Sequence, residues 1–235
     1  MARPSFGFLM AVAALTVAFS ISGGARAAAQ QNEAQQVLVD EATLTIDNFL
    51  SDQAMTYLRN NLRYAKGVLI IPSLFKAAFW VGGSGGRGLL MVRDPRTNAW
   101  SGPAFYTIGG GSLGVQFGGS ISEVVMIVMT QNGIESLFTT TFKVGGGASV
   151  AAGPVGIGAE GATAPDLSAD FLSFARSKGA FIGASLDGAL ISVADDANQA
   201  YYGRPVAPVD IFGKKDFHNP GSDKLRSRLA DASRK

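Results

Sequence analysis

The chain has 235 residues, a formal net charge of +2, one histidine and no cysteine. That inventory excludes disulfide stapling, lipid attachment at a cysteine and any thiolate metal site, and a single histidine leaves no imidazole cluster.

The first element is apolar. Phe6 to Ile21 follows Arg3 and leads through Gly23-Gly24 into Ala25-Arg26-Ala27-Ala28-Ala29. This is the layout of a secretory signal peptide with small residues at the cleavage site, and the run is shorter than the roughly 20 residues that span a bilayer. Residues 1–29 are expected to be removed, leaving 30–235 as a single domain without a lipoprotein anchor. Removal takes away two bases and no acid, so 18 bases then face 18 acids. The charges are unevenly spread. Residues 30–55 carry Glu33, Asp40, Glu41, Asp47 and Asp52 and no base, whereas 56–96 carry Arg59, Arg63, Lys66, Lys76, Arg87, Arg93 and Arg96 against Asp94 alone.

Helices come next. Leu38, Ala42, Ile46, Phe49 and Leu50 recur at helical spacing between acids, predicting a helix over Val37 to Leu50. A second is expected to start at Ser51 or Asp52, either able to cap free amides, with Met55, Leu58 and Leu62 on one face. After Gly67 the period changes. Val68 to Ile71, Leu89 to Val92, Ala104 to Ile108, Leu113 to Phe117 and Val124 to Met129 are short, rich in branched or aromatic residues and bounded by turn formers, so they read as strands. Asp94-Pro95-Arg96-Thr97-Asn98 is a turn between two of them. Val124 to Met129 is apolar on both faces and is expected to be central.

A helix is predicted from Gln131 to Phe138 behind Thr130 as cap. Strands follow over Thr140 to Val144, Val150 to Ala159, Phe171 to Ser177, Ala180 to Leu186 and Ala189 to Val193, with a tight turn at Gly188. A short helix from Asp196 to Tyr201, with Asp195 and Asp196 as its caps, precedes a proline-bearing tail and a last helix from Ser222 to Ala232. The fold class is therefore α+β: N-terminal helices on a curved, glycine-rich, largely antiparallel sheet or barrel.

Two catalytic motifs occur formally and are set aside on context. Gly83-Ser84-Gly85-Gly86-Arg87-Gly88 and Gly109-Gly110-Gly111-Ser112-Leu113-Gly114 match G-x-G-x-x-G, but a dinucleotide loop opens a helix and these run into strands. The same stretches contain G-x-S-x-G, which needs a strand-to-helix elbow and a histidine base, and the chain offers only His218 in its tail. No catalytic residue, metal or cofactor is assigned, nucleic acid is not an expected partner, and no protein partner is named. The reading is a binding protein.

In order along the chain stand Ala65-Lys66-Gly67-Val68-Leu69-Ile70-Ile71-Pro72, Trp100-Ser101-Gly102-Pro103-Ala104-Phe105-Tyr106, Gly111-Ser112-Leu113-Gly114-Val115-Gln116-Phe117-Gly118, Met129-Thr130-Gln131-Asn132-Gly133, Gly153-Pro154-Val155-Gly156, Ser177-Lys178-Gly179, Ser185-Leu186-Asp187-Gly188 and Tyr201-Tyr202-Gly203. In that order the chain resembles the SYLF domain family. The resemblance runs from about Glu33 to Ala232 and implies a mixed fold that binds phospholipid membranes. In eukaryotic relatives it implies phosphoinositides, and in some fungal members actin. For an exported chain of bacterial appearance the implied ligand is anionic phospholipid at the cell envelope, in the periplasm or on a membrane surface.

Such binding needs bases beside apolar groups. Arg59, Arg63, Lys66 and Lys76, near Phe75, Phe79 and Trp80, are the candidate lipid-binding residues. Each base near an anionic surface contributes about 1 kcal/mol, within a Debye length of about 8 Å. The competing readings are an outer-membrane β-barrel, whose strands alternate over about 10 residues as Val124 to Met129 does not, and a structural envelope protein.

Overall fold

The computed structural model describes residues 30–78, 81–113, 118–146, 148–153, 169–177, 180–183, 188–213 and 217–234. Residues 1–29, expected to be a signal peptide, Phe79 and Trp80, and the remainders of the strands expected to end at 117, 159 and 186 lie outside the described residues.

Residues 30–51 form α1, whose Leu38, Ala42, Ile46 and Phe49 are buried in one core with the sheet. The helix stops where Asp52 turns extended and its carboxylate accepts the Ala54 amide at 2.8 Å. A single 3-10 turn, Gln53–Met55, then leads into α2, Thr56–Leu62.

Nine strands of one sheet follow among the described residues. They are β1 (Gly67–Ala78), β2 (Val81–Val92), β3 (Ala104–Leu113), β4 (Gly118–Val128), β5 (Thr141–Lys143), β6 (Val150–Ala152), β7 (Phe171–Ser177), β8 (Ala180–Gly183) and β9 (Leu190–Val193). Their order is β5-β9-β3-β2-β1-β4-β7-β6, with β8 also paired to β7. All pairings are antiparallel except β6 with β7. The class is α+β as expected, with the sheet curled into a half-barrel.

Both faces of the sheet are covered at its middle. Val68, Ile70, Met91, Phe105, Val125 and Ile127 join the core under α1, α2, α4 (Asp195–Tyr202) and α6 (Asp223–Ala232). Leu69, Ile71, Leu90, Tyr106, Met126 and Val128 join a second core, capped by α3 (Gln131–Ser136) and α5 (Pro208–Gly213). The central position read for Val124 to Met129 follows from this two-sided burial.

β1 does not stop at Pro72. Proline has no amide to donate, and both ladders change register there, between Ile70 and Ser73 on the β2 side and between Ile71 and Leu74 on the β4 side. The inserted residue is a bulge that resets the alternation. Ile71 and Leu74 consequently share the second core. Ser73 and Phe75 fall on the face that carries Ile70.

Several expected bounds are corrected. β2 begins eight positions before Leu89, because its glycines, poor strand formers alone, are held by ladders on both sides. β3 runs unbroken from Ala104 to Leu113. Asp195 and Asp196 do not cap α4; they occupy its first turn after Ala194, where their charge suits the helix dipole. α5 was not expected, and its first residue is Pro208, a position where the missing amide is harmless. Thr130 caps α3 as expected, accepting the Gly133 amide at 3.0 Å, and Gly188 turns with φ +79°.

Asp170, buried at the start of β7, ties three connections together. It accepts from the Thr130 hydroxyl, from the Ser149 amide at 2.8 Å and from the Ser149 hydroxyl at 3.1 Å. Burial by itself raises its pKa, but these hydrogen bonds outweigh burial and hold the carboxyl below its usual value. A lowered folded-state pKa gives stability that is present above the unfolded value, near 4, and is lost as pH falls through the folded one. Asp170→Asn should therefore lower the unfolding free energy at pH 7 by about 2 kcal/mol. In urea titrations the gap from the unmodified protein should narrow towards pH 2; a gap independent of pH would refute this role.

Candidate functional site

The structure divides the expected lipid-binding residues into three groups. Arg59 is structural. Its guanidinium donates to the Leu50 carbonyl at 3.3 Å, to the Asp52 carbonyl and to the Thr56 hydroxyl at 2.7 Å. The first two are at the end of α1, where carbonyls have no helical partner.

Arg63 and Lys66 form a second group, at the corner between α2 and β1. Arg93, at the end of β2, donates its amide to the Lys66 carbonyl at 2.8 Å and its Nη1 to the Arg63 carbonyl at 2.6 Å. Its Nε is buried without a hydrogen-bond partner among the described residues. Arg96 is exposed in the turn just beyond. The guanidinium of Arg63 lies over the ring of Tyr64, 4.8 Å from its centroid, and that ring is 59% exposed. Asp94, in the same turn as Arg96, has its carboxylate turned onto the Arg96 and Thr97 amides at 2.8 and 3.3 Å. The Arg96 amide holds that carboxyl below its usual pKa and therefore ionised.

Arg93, Arg96 and Tyr64 were not among the expected site residues. Their signal was the Asp94 to Asn98 turn, which ends β2 and sends β3 back antiparallel to it, while the antiparallel pairing of β1 with β2 sets Val92 beside Gly67.

Phe75 and Lys76 belong to the third group, at the other end of β1. About ten residues at roughly 3.3 Å each separate Lys66 from Lys76, or about 30 Å. Phe75 is 56% exposed and pairs with Ile121 of β4, itself 55% exposed. Lys76 follows Phe75 and points to the opposite face of the strand. Phe79 and Trp80 lie outside the described residues. Among the described residues, Arg63 and Lys66 thus lie at one end of β1 and Phe75 and Lys76 at the other.

A cleft of about 440 Å³ separates the β2–β3 connection from α5 and the start of α6, lined by Asp94, Arg96, Trp100, Phe212, His218 and Arg226 among others. His218 Nε2 lies 2.7 Å from Asp223 Oδ1, and that hydrogen bond holds the Asp223 carboxyl below its usual pKa. Ser84, from the first G-x-S-x-G match, sits inside β2 and donates to the Gly110 carbonyl at 3.5 Å. His218 lies beside Val92 in the cleft, about 26 Å along β2 from that serine. The two residues do not form a catalytic pair, and both G-x-G-x-x-G runs begin inside strands. Among the described residues no group of His, Asp and Glu is placed to hold a metal ion, and no helix is long and apolar enough to cross a membrane.

The fold is of the α+β class, a helix-strapped half-barrel with glycine-rich paired strands, and comparison with known proteins gives the family. A family model described as Ysc84, Las17-binding protein actin regulator, matches residues 109–232. The chain belongs to this Ysc84, or SYLF, family.

Among its relatives is LAS seventeen-binding protein 3 of Saccharomyces cerevisiae (strain ATCC 204508 / S288c), 34% identical over 145 residues, covering 60% of this chain and 31% of the relative. Protein YSC84 of the same strain is 34% identical over 168 residues, covering 70% and 35% respectively. The human SH3 domain-containing YSC84-like protein 1 is 32% identical over 149 residues, covering 63% and 43%. The chain therefore matches less than half the length of these relatives, the first of which is named for binding LAS seventeen.

The division of the basic residues is testable by stability. Arg59→Ala should lower the unfolding free energy by about 2 kcal/mol, since it frees partly buried carbonyls, whereas Lys66→Ala should stay within about 0.5 kcal/mol. Equal urea midpoints for the two variants would refute the structural role of Arg59.

Proposed function

We propose that this chain is an exported, non-enzymatic envelope protein that binds anionic phospholipid surfaces through the corner formed by Arg63, Lys66, Arg93 and Arg96. The observation that carries this reading is the junction of α2, β1 and β2, where Arg93 bonds the Arg63 and Lys66 carbonyls and Arg63 covers an exposed tyrosine, with Arg96 exposed in the turn just beyond. Bases at about 1 kcal/mol each give salt-sensitive adsorption, and a tyrosine is suited to the headgroup region. Membership of the SYLF family supports a binding role, and the apolar stretch Phe6 to Ile21 supports export.

Sedimentation with vesicles tests the surface. Binding should rise with the anionic lipid fraction and fall as salt shortens the Debye length from about 10 Å at 0.1 M to about 3 Å at 1 M. Reversing Arg63, Lys66 and Arg96 to Glu should weaken it at least tenfold. Reversing Lys76, Lys143 and Lys224, which are exposed but scattered, changes the net charge equally and should matter less. Equal loss in both variants would mean that net charge, and not this corner, governs binding.

The names of the relatives bring a protein partner into the same test. If the chain pellets with actin filaments and not with anionic vesicles, the lipid reading falls.

Export has its own measurement. The intact mass of protein recovered from the envelope fraction should place the N-terminus at Ala28 or Gln30; a chain beginning at Met1 would overturn it.

A further inference from the structure

Beyond the Pro72 bulge, the α1-side face of the sheet is largely without side chains. Phe75 is opposite Gly85 and Ile121, and Gly85 is opposite Gly109, so these four share that face. Gly83 and Gly119, two residues from Gly85 and Ile121, share it too. Glycines on the opposite face are there for lack of room: a Cβ on Gly86 would come within 2.8 Å of the Ser73 carbonyl, and one on Gly88 within 2.7 Å of that of Ile70. The α1-side glycines have no such reason. A Cβ on Gly109 meets nothing within 4 Å, and at Gly83, Gly85 or Gly119 the nearest atom is a strand carbonyl at 3.9, 4.0 or 3.8 Å. Glycine weakens a strand, and where packing does not demand it, a close-approaching ligand is a reason to have it.

Between α1 and the start of this face runs a groove of about 550 Å³ with Gly85 and Gly86 on its floor, within the range of small-molecule sites. Its walls are apolar: Val37 is 51% exposed and Phe75 56%. Its two charged groups have opposite signs, Arg87 on the strand and Glu41 on the helix. Neither forms an ion pair or side-chain hydrogen bond with another described residue. A free fatty acid would meet Arg87 but be opposed by Glu41. A head with a phosphate and an ammonium satisfies both.

We infer that this groove binds one molecule of a single-tailed zwitterionic phospholipid, its tail on the glycine floor between Val37 and Phe75, its phosphate at Arg87 and its ammonium at Glu41. The inference rests on the lipid-binding reading but uses a different surface, about 30 Å along β1 from the basic corner.

The test uses the full mature chain and lysophosphatidylethanolamine below its critical micelle concentration, read by titration calorimetry and native mass spectrometry. One lipid should bind per chain. Gly85→Leu places a side chain in open space on the groove floor and should weaken binding at least tenfold without lowering the melting temperature. Val37→Glu, on the exposed side of α1, should do the same should the first variant fail to fold. Arg87→Glu should weaken binding at least fivefold, and palmitate should bind at least fivefold more weakly than the lysolipid. Absence of saturable binding, affinity of both groove variants within twofold of the unmodified chain, or palmitate binding as tightly would overturn the proposal.

Vesicle sedimentation separates this from the surface reading. The Arg63, Lys66 and Arg96 reversal should lose vesicles and keep the lysolipid, and Gly85→Leu should do the reverse.

Discussion

β1 lies between β2 and β4 and has to serve two antiparallel ladders at once, yet Pro72 in its middle has no amide to give to either. Both ladders shift at that residue, and everything distal to it depends on the shift. With strict alternation from Ile70, Leu74 would sit on the α1 face and Phe75 on the other. The bulge sends Leu74 into the second core, where it is 1% exposed, and turns Phe75 outward beside α1. One missing hydrogen-bond donor thus fixes where the second core ends and where the groove begins.

The same face is bounded on its other side by a polar anchor. Glu123 of β4 accepts from Thr45 at 3.3 Å and Asn48 at 3.2 Å of α1, and pairs with Arg176 of β7 at 3.1 Å. These bonds fix the C-terminal half of α1 over β4, so its N-terminal half crosses towards β2, with Ala34, Val37 and Leu38 facing Gly85 and Arg87. Arg59 completes the strap by bonding, from α2, the Leu50 carbonyl of α1 and the Asp52 carbonyl just beyond it. Its charge serves a helix end, which is why its proximity in sequence to Arg63 says little about a shared surface.

The legibility of the sequence follows from how local each signal is. The Leu38 to Leu50 period, the Thr130 cap and the apolar Val124 to Met129 run are complete within a few residues, and each was read correctly. The start of β2 was not, because a strand made of Gly82 to Gly88 is held by partners far away in sequence. α5 was hidden by Pro208, which reads as a breaker until its place at a first helical position is known. The described bases are spread out for a geometric reason: ten residues that form two helical turns and a bend stay close, whereas ten residues of strand span about 30 Å. Arg63 and Lys66 therefore find their neighbour on the adjacent strand, in Arg93.

The glycines carry the least legible part of the chain. In sequence, Gly83, Gly85, Gly86 and Gly88 are one run with one apparent purpose. Alternation in the strand divides them by face, and the two faces have opposite demands. Gly86 and Gly88 sit where neighbouring backbone leaves no room for a Cβ, while Gly83 and Gly85 face space that a side chain could fill. Composition records both as the same residue, so only the register of β2 against β1 and β3 separates glycine required by packing from glycine that leaves a surface bare. The bare set adjoins Phe75 and Arg87, which is unpaired among the described residues, and this is where a ligand has both apolar area and a charge to meet.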